Sequence, residues 1–388
     1  MIDHELMLSD TLKEIKPSGI RKFFDLLADM GDVTALTVGQ PDFVTPWHIR
    51  EAAIQSLERG HTYYTSNSGL PELRTEVANY LERRFGLEYS PGEVLITVGG
   101  SEAIDVAVRA LVNPGDEVIV PMPSFVCYEP IAKMAGAKVV TINTSADNGF
   151  KLTPAQLREA ITPKTKLLVL PYPNNPTGAI LERDELEALA EVIRETNIAI
   201  LSDEIYAELT FGKTHVSIAD IEGMRERTII ASGFSKAYAM TGWRLGYLVG
   251  PASWIKQMTK LHQYAIMCAP TVSQFAAVEA LKNGDDDIAE MKAEYNRRRV
   301  FIAEGLRKIG LPVMMPEGAF YIYPYIGGFG LSSEEFCQRL LMEEKCAIVP
   351  GTAFGECGEG YARISYAYSV KHIAEALEKI ERFINKLK

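Results

Sequence analysis

At 388 residues, 47% hydrophobic and 23% charged, the chain has the composition of a globular protein with ample core, and its length corresponds to about two to three domains. A formal net charge of −11 and a pI of about 5.2 argue against nucleic acid or an anionic membrane as partner, since like charge repels both. Five cysteines (Cys127, Cys268, Cys337, Cys346 and Cys357) are odd in number and form no CxxC pair, which suits free thiols in a reducing compartment; no metal is expected.

The N-terminus, Met1-Ile2-Asp3-His4-Glu5, is acidic where a signal peptide is basic, and no run approaches about 18 apolar residues, so a cytoplasmic location is the expectation. Residues 1–45 are too irregular to fold alone. From about residue 93 short apolar runs alternate with helical patterns. The strand candidates are 94–98, 117–120, 138–142, 166–170, 198–202, 228–232 and 245–249. Between them, segments such as 182–195 place Leu186, Leu189, Ala190 and Ile193 on one helical face. That alternation implies crossover connections and a mostly parallel sheet with helices on both faces. After about residue 282 the texture changes to a long charged helix over 285–308, a strand at 319–323, a helix at 333–344 and strands at 347–349 and 362–366. A final helix carries Ile373, Leu377, Ile380, Ile384 and Leu387 at helical spacing, with Glu375 and Lys379 paired at i,i+4. The expected division is a large α/β domain over 46–284 and a smaller α+β domain built from 1–45 and 285–388.

Ligands of an open α/β sheet collect at the carboxyl ends of the strands, so the residues just after each apolar run are the candidates. Gly99-Gly100-Ser101 runs from a strand into a helix and suits an anion, although taken alone a plain strand-to-helix turn is the better explanation. Glu102 in that first turn favours the helix dipole but would lie close to any phosphate. Asp203, after 198–202, reads alone as a cap or a solvated acid. Asn175-Pro176-Thr177-Gly178 reads as a turn whose asparagine faces the crevice. Phe125 fits a core or a ring-stacking role. Lys236 stands in Ser235-Lys236-Ala237 with Arg244 eight residues on. A lysine amine forms imines when its pKa is lowered, and an arginine suits phosphate or carboxylate; a surface lysine and a solvated arginine are the plain alternatives. Arg363, alternating with apolar residues on a strand, is an edge residue or, if it faces the crevice, a bidentate carboxylate ligand.

Taken in order, Gly39-Gln40-Pro41-Asp42-Phe43, Tyr64-Thr65 with Gly69, Gly99-Gly100-Ser101, Asn175-Pro176-Thr177-Gly178, Ser202-Asp203-Glu204-Ile205-Tyr206, Ser235-Lys236 with Thr241-Gly242-Trp243-Arg244, Gly318-Ala319-Phe320-Tyr321 and Arg363-Ile364-Ser365 resemble the class I/II pyridoxal-5′-phosphate (PLP) aminotransferases of fold type I over essentially the whole chain. The resemblance implies roles. Lys236 would hold PLP as an internal aldimine and, once freed, move the proton between substrate Cα and cofactor. Asp203 would pair with the pyridine nitrogen, which as electron sink does the hard chemistry. Tyr206 and Asn175 would bond the ring oxygen, Phe125 would stack on the ring, and Gly100, Ser101, Ser235 and Arg244 would hold the phosphate. Tyr64 would reach the phosphate of the neighbouring subunit in a homodimer. Arg363, with Asn175 and the Gly39 backbone, would bind the α-carboxylate. One departure is Gly233, where many relatives carry serine.

The resemblance implies transfer between an L-amino acid and a 2-oxo acid, with glutamate and 2-oxoglutarate as one pair. Local wording, including His262-Gln263-Tyr264, resembles the branch of N-acetyl-LL-diaminopimelate aminotransferase, with aromatic and aspartate aminotransferases close behind. Arg21, Lys22 and His61 are candidates by position for a distal carboxylate. The rival readings are a cysteine-conjugate β-lyase on the same fold, a non-catalytic regulator, which would need a DNA-binding module, and a Schiff-base aldolase, which has no use for Asp203 and Asn175.

Overall fold

The computed structural model describes residues 2, 4–15, 17, 19 and 31–388. Strand β1 (Thr34–Ala35) precedes seven strands of one sheet: β2 (Val94–Thr97), β3 (Glu117–Met122), β4 (Lys138–Asn143), β5 (Thr165–Leu170), β6 (Ala199–Asp203), β7 (Thr228–Gly233) and β8 (Gly246–Val249). Their spatial order is β2-β8-β7-β6-β5-β3-β4. Strands β3 to β7 pair in parallel, whereas β8 runs antiparallel to both β2 and β7. The central strands are buried along their length, as near-continuous Val/Ile/Leu runs require when helices cover both faces. The edge strand β4 instead exposes Lys138, Thr141 and Asn143, polar groups that discourage pairing with another chain.

The helix Arg183–Arg194 buries Leu186, Leu189, Ala190 and Ile193 as its periodicity predicts, and the side chains of Glu182 and Glu185 cap its start reciprocally. The helix Gly99–Leu111 follows β2 directly, with Gly99 in the left-handed region at φ 77°. It lies hard against the sheet because β7 and β8 face each other there through Gly233 and Gly246. A Cβ on Gly246 would stand 2.6 Å from the carbonyl carbon of Gly99 and 2.9 Å from the Gly100 nitrogen. Two glycines side by side thus admit the backbone of a third and a fourth.

The C-terminal part builds β9 (Tyr321–Ile322), β10 (Cys346–Ala347), β11 (Val349–Pro350) and β12 (Ala362–Ser365). The order β11-β12-β9 forms an antiparallel sheet, and β10 pairs in parallel with β1. The single strand expected at 347–349 is therefore two, which change sheets at buried Ile348. A run of apolar residues carries no mark of which partner each one takes. Helices Asp285–Lys308, Ser333–Glu344 and Val370–Leu387 pack around these strands through Tyr295, Phe336, Leu340, Ile373, Ile380 and Ile384. The Glu375–Lys379 pair forms at 3.0 Å. The same core takes in Tyr206, Leu209 and Phe211 from beyond β6, and the Thr45 hydroxyl donates to the Ala239 carbonyl at 2.6 Å while accepting from the Trp243 indole at 3.0 Å. The two parts are thereby joined along the carboxyl ends of the large sheet.

Gly246→Ala is expected to cost about 1–3 kcal/mol, the usual penalty of overpacking, because its Cβ has only backbone to displace. Urea unfolding measures it; an unchanged midpoint would show that the helix start is not pressed on the sheet.

Candidate active site

A cleft of about 330 Å³ opens where the two parts meet. The turn after β2 lends it Gly100 and Ser101, the loop after β3 Phe125 and Tyr128, and the loop after β5 Pro171, Pro173 and Asn175. Asp203 at the end of β6, Tyr206 beyond it, and Ser235, Lys236 and Arg244 between β7 and β8 complete one wall. The opposite wall is Thr37, Val38, Gly39 and Gln40 with Tyr321 of β9 and Arg363 of β12. Residues drawn from positions 37 to 363 thus face one space. Of the residues singled out from sequence, Tyr64 alone among the twelve site candidates lies outside this lining, on the surface and 77% exposed. His61 is also outside it, stacked on Phe275 at 4.6 Å and bonded to the Tyr63 hydroxyl. Arg21 and Lys22 fall outside the described residues.

The Lys236 amine donates to the Gly39 carbonyl at 2.5 Å. Burial first, then the charges of Arg363 and Arg244, bring it down to about 8, against the pull of Asp203. Asp203 is buried; its Oδ2 accepts from the Tyr128 hydroxyl at 2.6 Å and its Oδ1 from the Ile205 N–H at 3.2 Å. Burial raises its pKa, and those two donors oppose the rise. A cation beside it would restore the charged form at least cost. Tyr206 and Tyr321 join hydroxyl to hydroxyl at 2.8 Å. Tyr128 escaped the sequence reading because a buried aromatic in the first turn of a short helix, Tyr128–Met134, reads as core.

Arg363 is 2% exposed. Its Nη1 donates to Asn175 Oδ1 at 3.0 Å and its Nη2 to the Thr37 carbonyl at 2.6 Å. Both partners are neutral, and Nε is buried with none. The guanidinium lies over the rings of Tyr321 and Phe354, 4.5 and 4.7 Å from their centroids. Burial lowers its pKa, so the charge is held at a cost that an anion in the cleft would offset. A Cβ on Gly39 would fall 2.2 Å from the Tyr321 hydroxyl; glycine lets that backbone come close to the same spot.

At the other end of the wall, Arg244 takes a left-handed backbone at φ 51°, a conformation that costs an ordinary residue roughly 1–2 kcal/mol. Its Nη1 donates to the Thr241 carbonyl at 2.9 Å, and a Cβ on Gly99 would meet its Nη2 at 2.7 Å. The guanidinium therefore lies beside the first turn of the helix Gly99–Leu111, whose leading N–H groups favour an anion. The expected conflict with Glu102 does not arise, because its carboxylate folds away from the cleft and accepts from the Val98 N–H and from His262. The departure at Gly233 also has a cause: a Cβ there would stand 2.8 Å from the Gly246 Cα and 2.9 Å from the Leu245 carbonyl oxygen, so serine does not fit this chain.

With its amine free, Lys236 is expected to react with an aldehyde reagent at a rate that rises with pH up to about 8 and then levels off. Below that pH the amine is protonated and unreactive; above it the neutral form is already dominant. Surface lysines continue to gain towards their ordinary value of about 10.5. Peptide mapping after reductive labelling reads the profile, and an ordinary lysine profile at Lys236 would reject the buried setting.

The profile of the family described as "Aminotransferase class I and II" matches residues 31–380. "Putative aminotransferase YugH" of Bacillus subtilis is 52% identical, with 98% of each chain covered. "Probable N-acetyl-LL-diaminopimelate aminotransferase" of the same organism is 45% identical, covering 98% of this chain and 97% of its own. The solved structure of the aspartate aminotransferase from Thermus thermophilus with maleate superimposes with a TM-score of 0.92 at 39% identity, over 97% of this chain and 99% of that one. The chain belongs to the class I and II aminotransferases, enzymes that depend on pyridoxal 5′-phosphate.

Proposed function

We propose that this cleft moves an amino group between an L-amino acid and a 2-oxo acid, with glutamate and 2-oxoglutarate as one pair and N-acetyl-LL-diaminopimelate as the favoured other substrate. The observation that carries the transfer reading is the meeting, in one cleft, of a lysine near neutrality, a buried carboxylate and a buried arginine without a counter-charge. PLP, when bound, supplies an aldehyde for the amino group and a ring that accepts the electron pair left at Cα.

The donor set fits that cofactor. The backbone N–H groups of Gly100 and Ser101, with Ser235 and Arg244, would hold its phosphate. Asp203, fixed by Tyr128, would hold the ring nitrogen in its protonated form. Tyr206 and Asn175 would bond the ring oxygen, and Phe125 would cover a face. Lys236 would hold the aldehyde carbon, and its amine, lowered to about 8, suits taking a proton from the substrate Cα and returning it. Arg363, with its orphaned Nε, would bind the α-carboxylate, assisted by Asn175 and the Gly39 backbone. In this scheme residues 46–284 carry the cofactor and 1–45 with 285–388 carry the carboxylate site.

Three cations line the cleft among the described residues: Lys236, Arg244 and Arg363. Each is taken by the scheme above, so a distal carboxylate would draw its cation from elsewhere, and Arg21 and Lys22 remain the candidates within this chain. The 45% identity to the diaminopimelate relative supports the choice of substrate. We further propose a cytoplasmic homodimer in which Tyr64 completes the neighbouring site. Tyr63 and Tyr64 are 66% and 77% exposed, and neighbouring rings left open to solvent are what a subunit contact would cover. A sedimentation mass of 43.0 kDa, that of one chain, would dismiss the shared site.

Half-reaction spectroscopy over an amino-acid panel tests the substrate. Glutamate and N-acetyl-LL-diaminopimelate are expected to discharge the bound cofactor's visible band; an inert N-acetyl-LL-diaminopimelate beside a fast aromatic amino acid or aspartate would replace it. Pyruvate and thiol formed from cystathionine would favour a lyase instead. Arg363→Ala is expected to weaken binding of every active substrate by about 2–5 kcal/mol, the cost of truncating a buried charge pair, while the cofactor band of the resting enzyme stays. Unchanged substrate affinity would remove Arg363 from the site.

A further inference from the structure

We propose that His262 is a positioning residue for the cofactor phosphate, acting by restraining the carboxylate of Glu102; this rests on the reading that the helix Gly99–Leu111 takes the phosphate at its N-terminus. Glu102 follows Ser101 directly and stands in the first turn of that helix. A carboxylate there is attracted to the same unpaired N–H groups that an incoming phosphate needs. It is therefore a tethered competitor for the anion site.

The structure shows the carboxylate engaged elsewhere. Oε2 accepts from the N–H of Val98, the residue before the helix, and Oε1 accepts from His262 Nδ1 at 2.7 Å. Gly100, Ser101 and Ile104 of this helix line the cleft, and Glu102 does not. His262 comes from the last turn of the helix Ala252–Ala265, which packs along Gly99–Leu111. Its side chain is fully buried, and its Nε2 has no partner. An apolar residue would fill that space without leaving a buried nitrogen unsatisfied, which costs stability. What a histidine adds there is the donor at Nδ1, and that donor has one recipient, the carboxylate beside the phosphate turn. Remove it, and Glu102 keeps only the Val98 N–H; the side chain is then free to turn towards the N–H groups of Gly100 and Ser101.

The pairing predicts a dependence that packing does not. In holoenzyme, His262→Leu is expected to release cofactor about tenfold faster or more, the scale of one lost hydrogen bond to a charged group. Release is followed by loss of the visible band on dilution into a carbonyl trap. His262→Asn, whose amide nitrogen can stand where Nδ1 stands, is expected to remain within about threefold of the parent. The double change His262→Leu with Glu102→Gln is expected to recover the parent rate, because the competing charge is gone. A double variant as leaky as His262→Leu, or leakier, overturns the proposal and leaves His262 as packing. His262→Phe repeats the comparison should leucine not fold, with circular dichroism confirming the holoenzyme in each case. Arg244→Gln separates the two readings: if it releases cofactor fast while His262→Leu does not, the phosphate site stands and the pairing fails. If neither changes release, the phosphate is not held at this turn.

Discussion

A fully buried guanidinium without a carboxylate partner is the constraint on which this structure turns. Arg363 is held by two neutral oxygens and two aromatic faces, an arrangement that fixes its direction but leaves its charge uncompensated. A structural buried arginine is neutralised, as Arg298 is by the carboxylates of Glu294 and Asp42. The charge also reaches across the cleft. Together with Arg244 it helps burial to depress the pKa of the Lys236 amine, so a guanidinium without a counter-charge also favours the neutral, nucleophilic form of the nearby nitrogen. The chain as a whole carries a net −11, whereas the cleft lining, among the described residues, gathers Lys236, Arg244 and Arg363 against the single acid Asp203, a local balance that favours anions.

Holding such a set requires backbone to come closer than side chains permit. Three places achieve it by omission. Gly39 stands under the Tyr321 hydroxyl, Gly99 under the Arg244 guanidinium, and Gly246 under the start of the helix Gly99–Leu111. In each, a single methyl group would occupy space now held by a functional atom or by the backbone that positions one. The opposing pair Gly233 and Gly246 extends the same logic into the sheet, where β7 and β8 meet. The rigidity comes from the surrounding strands, buried on both faces, and the close approach comes from the glycines.

The sequence carries the sheet and the polar residues of the site well, and the supporting contacts poorly. All seven strands of the large sheet fall within about two residues of the apolar runs, as expected where boundary residues are the uncertain part. Lys236, Asp203, Asn175 and Arg363 each read alone as an ordinary surface, cap, turn or edge residue, and they became legible as a site only through the ordered resemblance along the chain. Tyr128 was not, and Tyr321 stood in a matching stretch without a role, since an aromatic in an apolar segment looks like core until its hydroxyl is seen to meet Asp203 or Tyr206. The divided strand at 346–350 was hidden for a related reason: pairing is a long-range property, and Cys346-Ala347-Ile348-Val349 is uniformly apolar whichever sheet each residue joins. Tyr64 shows a different limit, because a residue expected to serve another subunit leaves no trace in its own cleft.

Glu102 illustrates how a local conflict in sequence becomes a structural device. Its position at a helix start suited to an anion is unfavourable when read along the chain, and the conflict is relieved by the Val98 N–H together with His262, a residue 160 positions away. The carboxylate then serves two ends: it satisfies the Val98 N–H, which lies ahead of the helix and would otherwise be unpaired, and it contributes the negative charge that a helix N-terminus favours without entering the cleft. Neutral glutamine would satisfy the N–H but add no charge, and alanine would do neither. Both carboxylate oxygens are occupied, so in the proposed pairing the far helix supports the start of Gly99–Leu111 although none of its atoms lines the cleft.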